Sequence, residues 1–263
     1  MKYGFLGCGN MGGAVAKALS LKTNNILLTS RSVSSAKTLA EQLGCQYSES
    51  NEEVAQSCDI LFLAVKPQMM ASCLSPLTTH LQAKRPVIVS MAAGLTLSKL
   101  DQLTGGGLPI IRIMPNTPVA IGKGMTTYCH NTLVTQEMIE DLLFDLSHAG
   151  RFDPIDEKLM DVASAAAGCS PAYAYMFIEA MADGAVACGL PRAKAMEYAA
   201  AALAGAAEMV LTTGAHPGSL KDAVCSPGGS TIAGVRALEE NGFRGAVIDA
   251  IIAAYNRGTE LGK

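Results

Sequence analysis

The sequence predicts an α/β domain over residues 1–152 and an all-helical domain over residues 153–263. Up to about residue 150, short apolar runs alternate with helical stretches, which is typical of a parallel sheet covered on both faces. After that point strand patterns stop, and several of the helical segments carry proline near their first turn and glycine after their last. Because a glycine-rich turn follows the first apolar run, we identify the first domain as a Rossmann-type dinucleotide-binding domain.

The predicted elements follow from where the apolar runs lie. In the first domain, the predicted strands are Tyr3–Leu6, Ile26–Thr29, Asp59–Ala64, Val87–Ser90 and Ile110–Met114. Its first predicted helix ends at Leu19, and the second is Val33–Leu43. A third follows Pro67, a short one begins at Leu97, and the last is Asn131–Ser147, with Thr135 as a cap. In the second domain, the predicted helices are Ile155–Ala166, Pro171–Cys188, Pro191–Thr212, Pro217–Val224, Ser230–Asn241 and Phe243–Leu261. We expect a short, ordered boundary near Arg151–Pro154.

Composition excludes several classes of function. Of the 263 residues, 49% are hydrophobic and 16% charged, which supports a large core and argues against disorder. The net charge of -3 and the lack of basic runs argue against a nucleic-acid partner. Eight cysteines form no CxxC pair and no zinc spacing with histidine, so we predict no metal. Free thiols, a strand at the very start and interrupted apolar stretches predict a cytoplasmic protein with no signal peptide and no membrane span.

The turn Gly7-Cys8-Gly9-Asn10-Met11-Gly12 follows the first predicted strand and opens a helix. Gly7 permits the tight turn, Gly9 lets the backbone approach a pyrophosphate, and Gly12 lets helix and strand pack closely. The helix start offers unpaired N–H groups and the positive end of its dipole to phosphates. We therefore predict that this turn binds the pyrophosphate of a nicotinamide dinucleotide.

The end of the second strand indicates which dinucleotide is bound. An NAD site carries Asp or Glu there to accept the ribose hydroxyls. This chain has Thr29-Ser30-Arg31-Ser32 instead, and its next acid is Glu41. Since a guanidinium fork and hydroxyls suit a 2′-phosphate, Ser30 and Arg31 favour NADPH, with NADH as the alternative.

Three more segments follow predicted strands, at the edge where open α/β sheets bind ligands. They are Ala64-Val65-Lys66-Pro67, Ser90-Met91-Ala92-Ala93-Gly94 and Met114-Pro115-Asn116-Thr117-Pro118. The small residues let a flat ring approach the backbone, while Lys66 and Asn116 add polar groups. Asn51, at a predicted helix cap, is placed to reach the adenine ribose. We predict that these residues complete the cofactor groove.

The chain resembles the pyrroline-5-carboxylate reductase family over essentially its whole length. The resemblance is carried by residues 7–12, 64–67 and 114–116, by Gly168 to Tyr173, and most specifically by Ser226-Pro227-Gly228-Gly229-Ser230-Thr231-Ile232. It implies reduction of 1-pyrroline-5-carboxylate to L-proline by NAD(P)H, the last step of proline biosynthesis. It also implies a helical C-terminal domain that dimerises, and it places Glu157 near the substrate.

The turn at 226–231 is the predicted substrate end of the site. Imine reduction needs hydride delivery to carbon and a proton on nitrogen, and holding the ring in place supplies much of the catalysis. The turn opens a helix, so its N–H groups at 229–231 suit the substrate carboxylate. We expect Gly228, Gly229 and Ser230 to bind substrate. Thr231 offers a hydroxyl to the imine nitrogen or to a water and is the predicted catalytic residue.

Two features sharpen this interpretation. A plain capped turn accounts for Pro227 and Ser230 but needs only one glycine, so the pair Gly228-Gly229 favours a ligand site. The chain also departs from the family pattern, with Ala167 and Cys169 where the family usually has serines and Ala223 where some members have asparagine. We assign no polar side-chain role to these three positions.

The alternatives are a β-hydroxyacid dehydrogenase, an imine reductase for another substrate, and a non-catalytic NADPH-sensing protein. The first needs a basic or cationic group on the long helix of the second domain, but Gly168–Leu190 contains no lysine or histidine. A sensor has no need of the 226–231 turn. Because helices such as Tyr198–Met209 carry almost no charge, we expect a homodimer or higher homo-oligomer through the C-terminal helices.

Overall fold

The computed structural model describes residues 1–261. They form two compact units: the first comprises Met1–Cys169 with the stretch from Ala254 onward, and the second is Ser170–Ala253. The first unit contains an eight-stranded sheet with α-helices and short 3₁₀ turns, whereas the second is helical. This agrees with the predicted fold class. No helix in this part of the chain has the length and apolar character that crossing a membrane requires.

The strands and helices are numbered in chain order. The strands are β1 (Tyr3–Leu6), β2 (Ile26–Thr29), β3 (Gln46–Tyr47), β4 (Ile60–Leu63), β5 (Val87–Ser90), β6 (Ile110–Met114), β7 (Gly124–His130) and β8 (Gly150–Pro154). The helices of the first unit are α1 (Asn10–Ser20), α2 (Val33–Leu43), α3 (Asn51–Ser57), α4 (Met70–Leu74), α5 (Thr78–Lys84), α6 (Leu97–Thr104), α7 (Gln136–Asp145) and α8 (Met160–Ala163). The C-terminal helices are α9 (Ser170–Ala187), α10 (Arg192–Thr213), α11 (Pro217–Ala223), α12 (Ser230–Glu240) and α13 (Phe243–Leu261).

The strand order places the ligand edge of the sheet. The order is β3-β2-β1-β4-β5-β6-β7-β8, and every neighbouring pair is parallel except β6 and β7. The order reverses direction between β1 and β4, which is where doubly wound sheets bind ligands. In the register, Leu6 lies opposite Thr29 and Leu63, and Leu63 lies opposite Ser90. The turns that follow these four residues therefore start at one edge.

Two apolar layers cover the faces of the sheet. One packs α1, α2 and α7 around Phe5 and Phe62, whose rings stack with centroids 4.4 Å apart. The other packs α3 to α6 around residues such as Leu61 and Leu74. Because β1 and β4 are buried along their whole length, their sequences are continuous apolar runs.

Several predicted elements differ from the structure. The segment predicted as one helix, Ile155–Ala166, contains a 3₁₀ turn at Glu157–Leu159, then α8, then a π-helical turn at Ser164–Gly168. The predicted helix Asn131–Ser147 begins only at Gln136, although Thr135 caps it as expected. The predicted boundary Arg151–Pro154 belongs to β8, which pairs with β7. The domain division at residue 152 stays a prediction.

The second unit has little core of its own. Its buried hydrophobic cluster comprises Ala182, Ala195 and Ala199, at the packing of α9 against α10. Large apolar side chains remain exposed along its helices, including Met176 and Val224. The unpaired apolar surface agrees with the low charge of the helical segments in the sequence.

Candidate active site

The glycine turn connects β1 to α1 at the edge where the strand order reverses. Gly7 has a φ of +105°, and its N–H donates to the Thr29 carbonyl at 2.9 Å. The Cys8 thiol donates to the same carbonyl at 3.3 Å, and burial raises the pKa of this thiol to about 12. Cys8 therefore stays neutral and helps to hold the turn against β2.

The helix start after this turn has the features of a phosphate site. Gly9 is the N-cap of α1 and makes no side-chain cap, and the first turn has no acidic residue. A Cβ on Gly9 would meet nothing within 4 Å, whereas one on Gly12 would lie 2.5 Å from the Gly7 carbonyl oxygen. The first N–H groups of α1, at Asn10 and Met11, have no partner within the helix. The residues present therefore fit a pyrophosphate over Gly9.

A groove of about 250 Å³ lies beside this turn. Its lining residues are Leu6, Gly7, Ser30, Arg31, Asn51, Val65, Met69, Ser72 and Cys73. Arg31 is exposed at the groove and forms no ion pair with any described residue. The groove brings together the predicted adenosine-side residues, namely Ser30, Arg31 and Asn51. It suits a 2′-phosphorylated adenosine, because an unpaired guanidinium lies beside it.

Asn51 is the first residue of α3 and lies next to Thr29, but the N-cap of this helix is Ser50, not Asn51 as the sequence predicted. The Thr29 hydroxyl donates to Asn51 Oδ1 at 3.2 Å, and Asn51 Nδ2 lies 4.0 Å from Cys73 Sγ. Burial raises the pKa of the Cys73 thiol, so this wall of the groove is neutral. Met69, Ser72 and Cys73 had no motif to mark them in the sequence. They join the groove because the chain after β4 folds back over it.

Two of the strand-end segments follow β4 and β5. Residues 64–67 begin directly after Leu63, and Lys66 is exposed there. The stretch after Ser90 is held at its start by the Met91 N–H, which donates to the Leu63 carbonyl at 3.1 Å. In that stretch Ala92 is buried and Ala93 is exposed. Both segments therefore lie at the predicted edge, and their contacts with a cofactor stay predictions.

The side chain of Asn116 is used inside the first unit. Its Oδ1 accepts from the Met125 N–H at 2.9 Å, and its Nδ2 donates to the Ala167 carbonyl at 3.1 Å. Asn116 is also buried. The amide thus joins β7 to the π-helical turn at Ser164–Gly168, a structural role that the sequence analysis did not anticipate.

Glu157 is also engaged within the first unit. Its Oε1 accepts from Arg112 Nη1 at 2.7 Å and from the Leu97 N–H at 2.6 Å. Arg112 lies in β6 and its side chain is only 5% exposed, so Glu157 supplies the charge that a buried guanidinium needs. The sequence analysis missed Arg112, because a charged residue within an apolar strand carries no motif.

The turn before α12 differs in detail from the prediction. The Gly229 N–H donates to the Ser226 carbonyl at 3.0 Å, so it is not one of the open donors, and those begin at Ser230 and Thr231. Gly228 has a φ of +68°, and a Cβ on Gly229 would lie 2.4 Å from Ser226 Oγ and 3.1 Å from its carbonyl oxygen. Each glycine thus has its own local cause, so the pair by itself no longer argues for a ligand.

Known proteins match the chain along its whole length. The family described as "Pyrroline-5-carboxylate reductase dimerisation" matches residues 157–261, and the one described as "NADP oxidoreductase coenzyme F420-dependent" matches residues 2–94. A pyrroline-5-carboxylate reductase of Escherichia coli is 46% identical, covering 100% of this chain and 98% of the relative. This chain belongs to the pyrroline-5-carboxylate reductase family.

Solved structures of reductases in this family share the fold. That of Streptococcus pyogenes has a TM-score of 0.91 at 36% identity, covering 99% of this chain and 98% of the other. That of Plasmodium falciparum, described with NADP bound, has a TM-score of 0.89 at 32% identity, covering 100% of this chain and 98% of the other. Thus the family that the motifs resembled is confirmed.

The departures from the reductase pattern are explained in part. Ala167 acts through its carbonyl, which accepts from Asn116, and this contact needs no hydroxyl. Ala223 ends α11 and is exposed, so a contact with cofactor at this position would be a backbone contact. Nothing in the structure explains Cys169.

Proposed function

We propose that this protein is a pyrroline-5-carboxylate reductase, which reduces the C=N bond of 1-pyrroline-5-carboxylate to give L-proline and uses NADPH in preference to NADH. The observation that carries the proposal is that the family match extends over both helix starts, at residues 9–12 and 229–231. The full-length match favours this activity over the β-hydroxyacid dehydrogenase, the other imine reductases and the NADPH sensor.

The cofactor end is assigned to the first unit. The N–H groups at the start of α1 hold the pyrophosphate over Gly9, and Arg31 binds the 2′-phosphate. Ala92 and Ala93 carry only methyl groups, so the backbone beside them is open to a flat ring. NADPH, when bound, supplies the hydride. Ser30, Asn51 and the 64–67 segment complete the proposed cofactor residues, whereas the amide of Asn116 is used within the first unit.

The substrate end is assigned to the turn before α12. The open N–H groups of Ser230 and Thr231 bind the substrate carboxylate, and Gly228 and Gly229 shape the turn that presents them. Thr231 Oγ1 holds a proton at the imine nitrogen, directly or through a water. Since a cyclic imine is easily protonated, orientation of the ring supplies most of the rate, and no strong acid is needed.

Loss of NADPH absorbance on addition of 1-pyrroline-5-carboxylate tests the proposal. We expect Thr231→Ala to lower kcat on the order of tenfold with little change in the KM for NADPH, because its hydroxyl acts on the imine. Thr132→Ala, at an exposed turn position of the first unit, is the control and should match the wild type. Equal kcat for Thr231→Ala refutes the role of Thr231. NADPH binding without turnover of any cyclic imine favours the sensor instead.

We also propose that the protein is a cytoplasmic homodimer or higher homo-oligomer, with a small molecule as substrate and neither nucleic acid nor membrane as partner. The match to a dimerisation family over residues 157–261 and the exposed apolar side chains of α9 to α13 support the assembly. Eight cysteines without a disulfide support a reducing compartment.

A further inference from the structure

We propose that Glu157 is a positioning residue that sets the cofactor loop, which we define as residues 91–96. The proposal rests on the function proposed above, and it assigns Glu157 to the cofactor side of the reaction. Glu157 acts through the Leu97 N–H, at the point where the cofactor loop enters α6. Arg112 acts with it, because its guanidinium holds the same carboxylate oxygen.

The contacts of Glu157 converge on one atom. Oε1 lies 2.6 Å from the Leu97 nitrogen and 2.7 Å from Arg112 Nη1. Arg112 is fixed in β6, where it lies opposite Ser90, the last residue of β5 before the cofactor loop. Asp161 also faces the guanidinium, with its Oδ1 3.9 Å from Nη2, but within the described residues 1–261 it makes no side-chain hydrogen bond or ion pair to the loop. Glu157 is therefore the carboxylate that joins the fixed sheet to the end of the loop.

The beginning of the cofactor loop is held separately. The Met91 N–H donates to the Leu63 carbonyl at 3.1 Å, and the Ala92 N–H donates to Ser90 Oγ at 3.3 Å. The hydrogen bond from Met91 thereby ties the start of the cofactor loop to the end of β4, where residues 64–67 begin. At the other end, Thr96 is the N-cap of α6 and its Oγ1 accepts from the Lys99 N–H, while Glu157 Oε1 accepts from the Leu97 N–H, the first of the helix.

The composition of the loop makes these end contacts important. Ala92, Ala93 and Gly94 carry no polar side chain, so they cannot fix the backbone by side-chain hydrogen bonds of their own. The path of the loop is then set where it enters and leaves. A cofactor that binds only one conformation of the loop binds more weakly when the loop spends part of its time in other conformations. Releasing the Leu97 end should therefore weaken NADPH binding rather than substrate binding.

The first test compares Glu157→Gln with Asp161→Asn. Both variants remove one negative charge from the surroundings of Arg112, but only the first alters the contact with Leu97. NADPH affinity is measured by equilibrium titration of its fluorescence, without substrate. We expect about a tenfold higher Kd for Glu157→Gln, since the hydrogen bond from the Leu97 N–H loses its charge assistance, and a Kd within about twofold of the wild type for Asp161→Asn.

The second test removes the donor instead of the acceptor. Leu97→Pro deletes the N–H at the first helical position, where proline is accepted, and Thr96 already has the extended conformation (φ -74°, ψ 160°) that precedes proline. Leu97→Ala is the matched control, because it shortens the side chain and keeps the N–H. We expect the NADPH Kd to rise several-fold more in Leu97→Pro than in Leu97→Ala. This pair keeps the proposal testable if Glu157→Gln does not fold.

The KM values decide between positioning and direct contact. Positioning predicts a raised KM for NADPH with the KM for 1-pyrroline-5-carboxylate nearly unchanged in Glu157→Gln. A raised KM for the imine at unchanged NADPH Kd would overturn the proposal and make Glu157 a substrate contact. Equal Kd values for Leu97→Pro and Leu97→Ala would also overturn it. A wild type that binds NADPH without reducing the imine would refute the proposed function, while the titrations still test the loop.

Discussion

At the scale of single residues, Gly9 and Gly12 differ in what a methyl group would meet at their α-carbons. Around Gly9 there is open space at the helix start, whereas at Gly12 a methyl group would collide with the Gly7 carbonyl and with Ala64 Cβ, 2.8 Å away. The sequence motif treats both as required glycines. The structure separates them: Gly12 is required by the packing of the chain itself, and Gly9 by the ligand that the turn is proposed to hold.

Gly9→Ala should therefore fold like the wild type and bind NADPH much more weakly. Gly12→Ala should lower the melting temperature as well, because α1 must move away from the turn, at a cost of about 1–3 kcal/mol. Thermal unfolding and NADPH titration of the two variants check this. Tight NADPH binding by Gly9→Ala would contradict the placement of the pyrophosphate.

Arg31 is the residue on which the preference for NADPH depends. Arg31→Ala should raise the KM for NADPH and leave the KM for NADH nearly unchanged, since a charge-assisted phosphate contact contributes about 1.5–3 kcal/mol. Lys37→Ala removes a nearby exposed charge from α2 and serves as the control. The ratio of the two KM values is the measurement, and an unchanged ratio in Arg31→Ala would disprove the assignment.

At the scale of elements, the segment between β8 and α9 is held by side chains of β6 and of the turn that follows β6. Arg112 pairs with Glu157, and Asn116 donates to the carbonyl of Ala167 in the π-helical turn. A π-helical turn leaves backbone groups without their usual α-helical partners, so an amide at this point stabilises it. The bond from Asn116 therefore supports the π-helical turn in which the predicted helix Ile155–Ala166 ends.

Asn116→Ala should destabilise the protein by about 1–3 kcal/mol, because the partly buried Met125 N–H and Ala167 carbonyl both lose a partner. Asn24→Ala, at an exposed loop position, is the control and should change the stability by less than about 0.5 kcal/mol. Urea unfolding measures both. If Asn116→Ala keeps its stability and loses only NADPH affinity, the amide serves the cofactor, as the sequence analysis expected.

At the scale of the whole molecule, the second unit leaves many large apolar side chains exposed, and its buried hydrophobic cluster consists of three alanines. Ile248 and Ile252 on α13 are 58% and 52% exposed, and Met176 on α9 is 68% exposed. Exposed apolar patches of this kind mark interaction surfaces. Together with the match to a dimerisation family, this surface supports the proposed homo-oligomer.

Ile248→Glu should therefore weaken the assembly, on the order of a hundredfold in the dissociation constant, because a buried unpaired carboxylate costs several kcal/mol. Leu21→Glu is the matched control, since Leu21 is 65% exposed in the first unit. Sedimentation velocity over a range of concentrations measures both variants. A monomeric wild type, or equal association of the two variants, would contradict the proposal.

The sequence by itself determined the fold class, the family and most helices of both halves. The reason is local: buried parallel strands are continuous apolar runs, helix ends carry capping residues, and the glycine spacing marks a strand–turn–helix. Val33–Leu43 and Phe243–Leu261 were predicted with the bounds that the structure has.

Only the tertiary structure decided the elements and roles that depend on distant partners. β7 and β8 lie at one end of the sheet, with β8 at its edge. They form because they pair with β6 and with each other, and nothing local in their sequences requires this. Likewise, the side chains of Asn116 and Glu157 are committed to partners 51 and 60 residues away along the chain. A hydrogen bond across such a distance leaves no periodic pattern, so it becomes visible only when the sheet brings its two ends together.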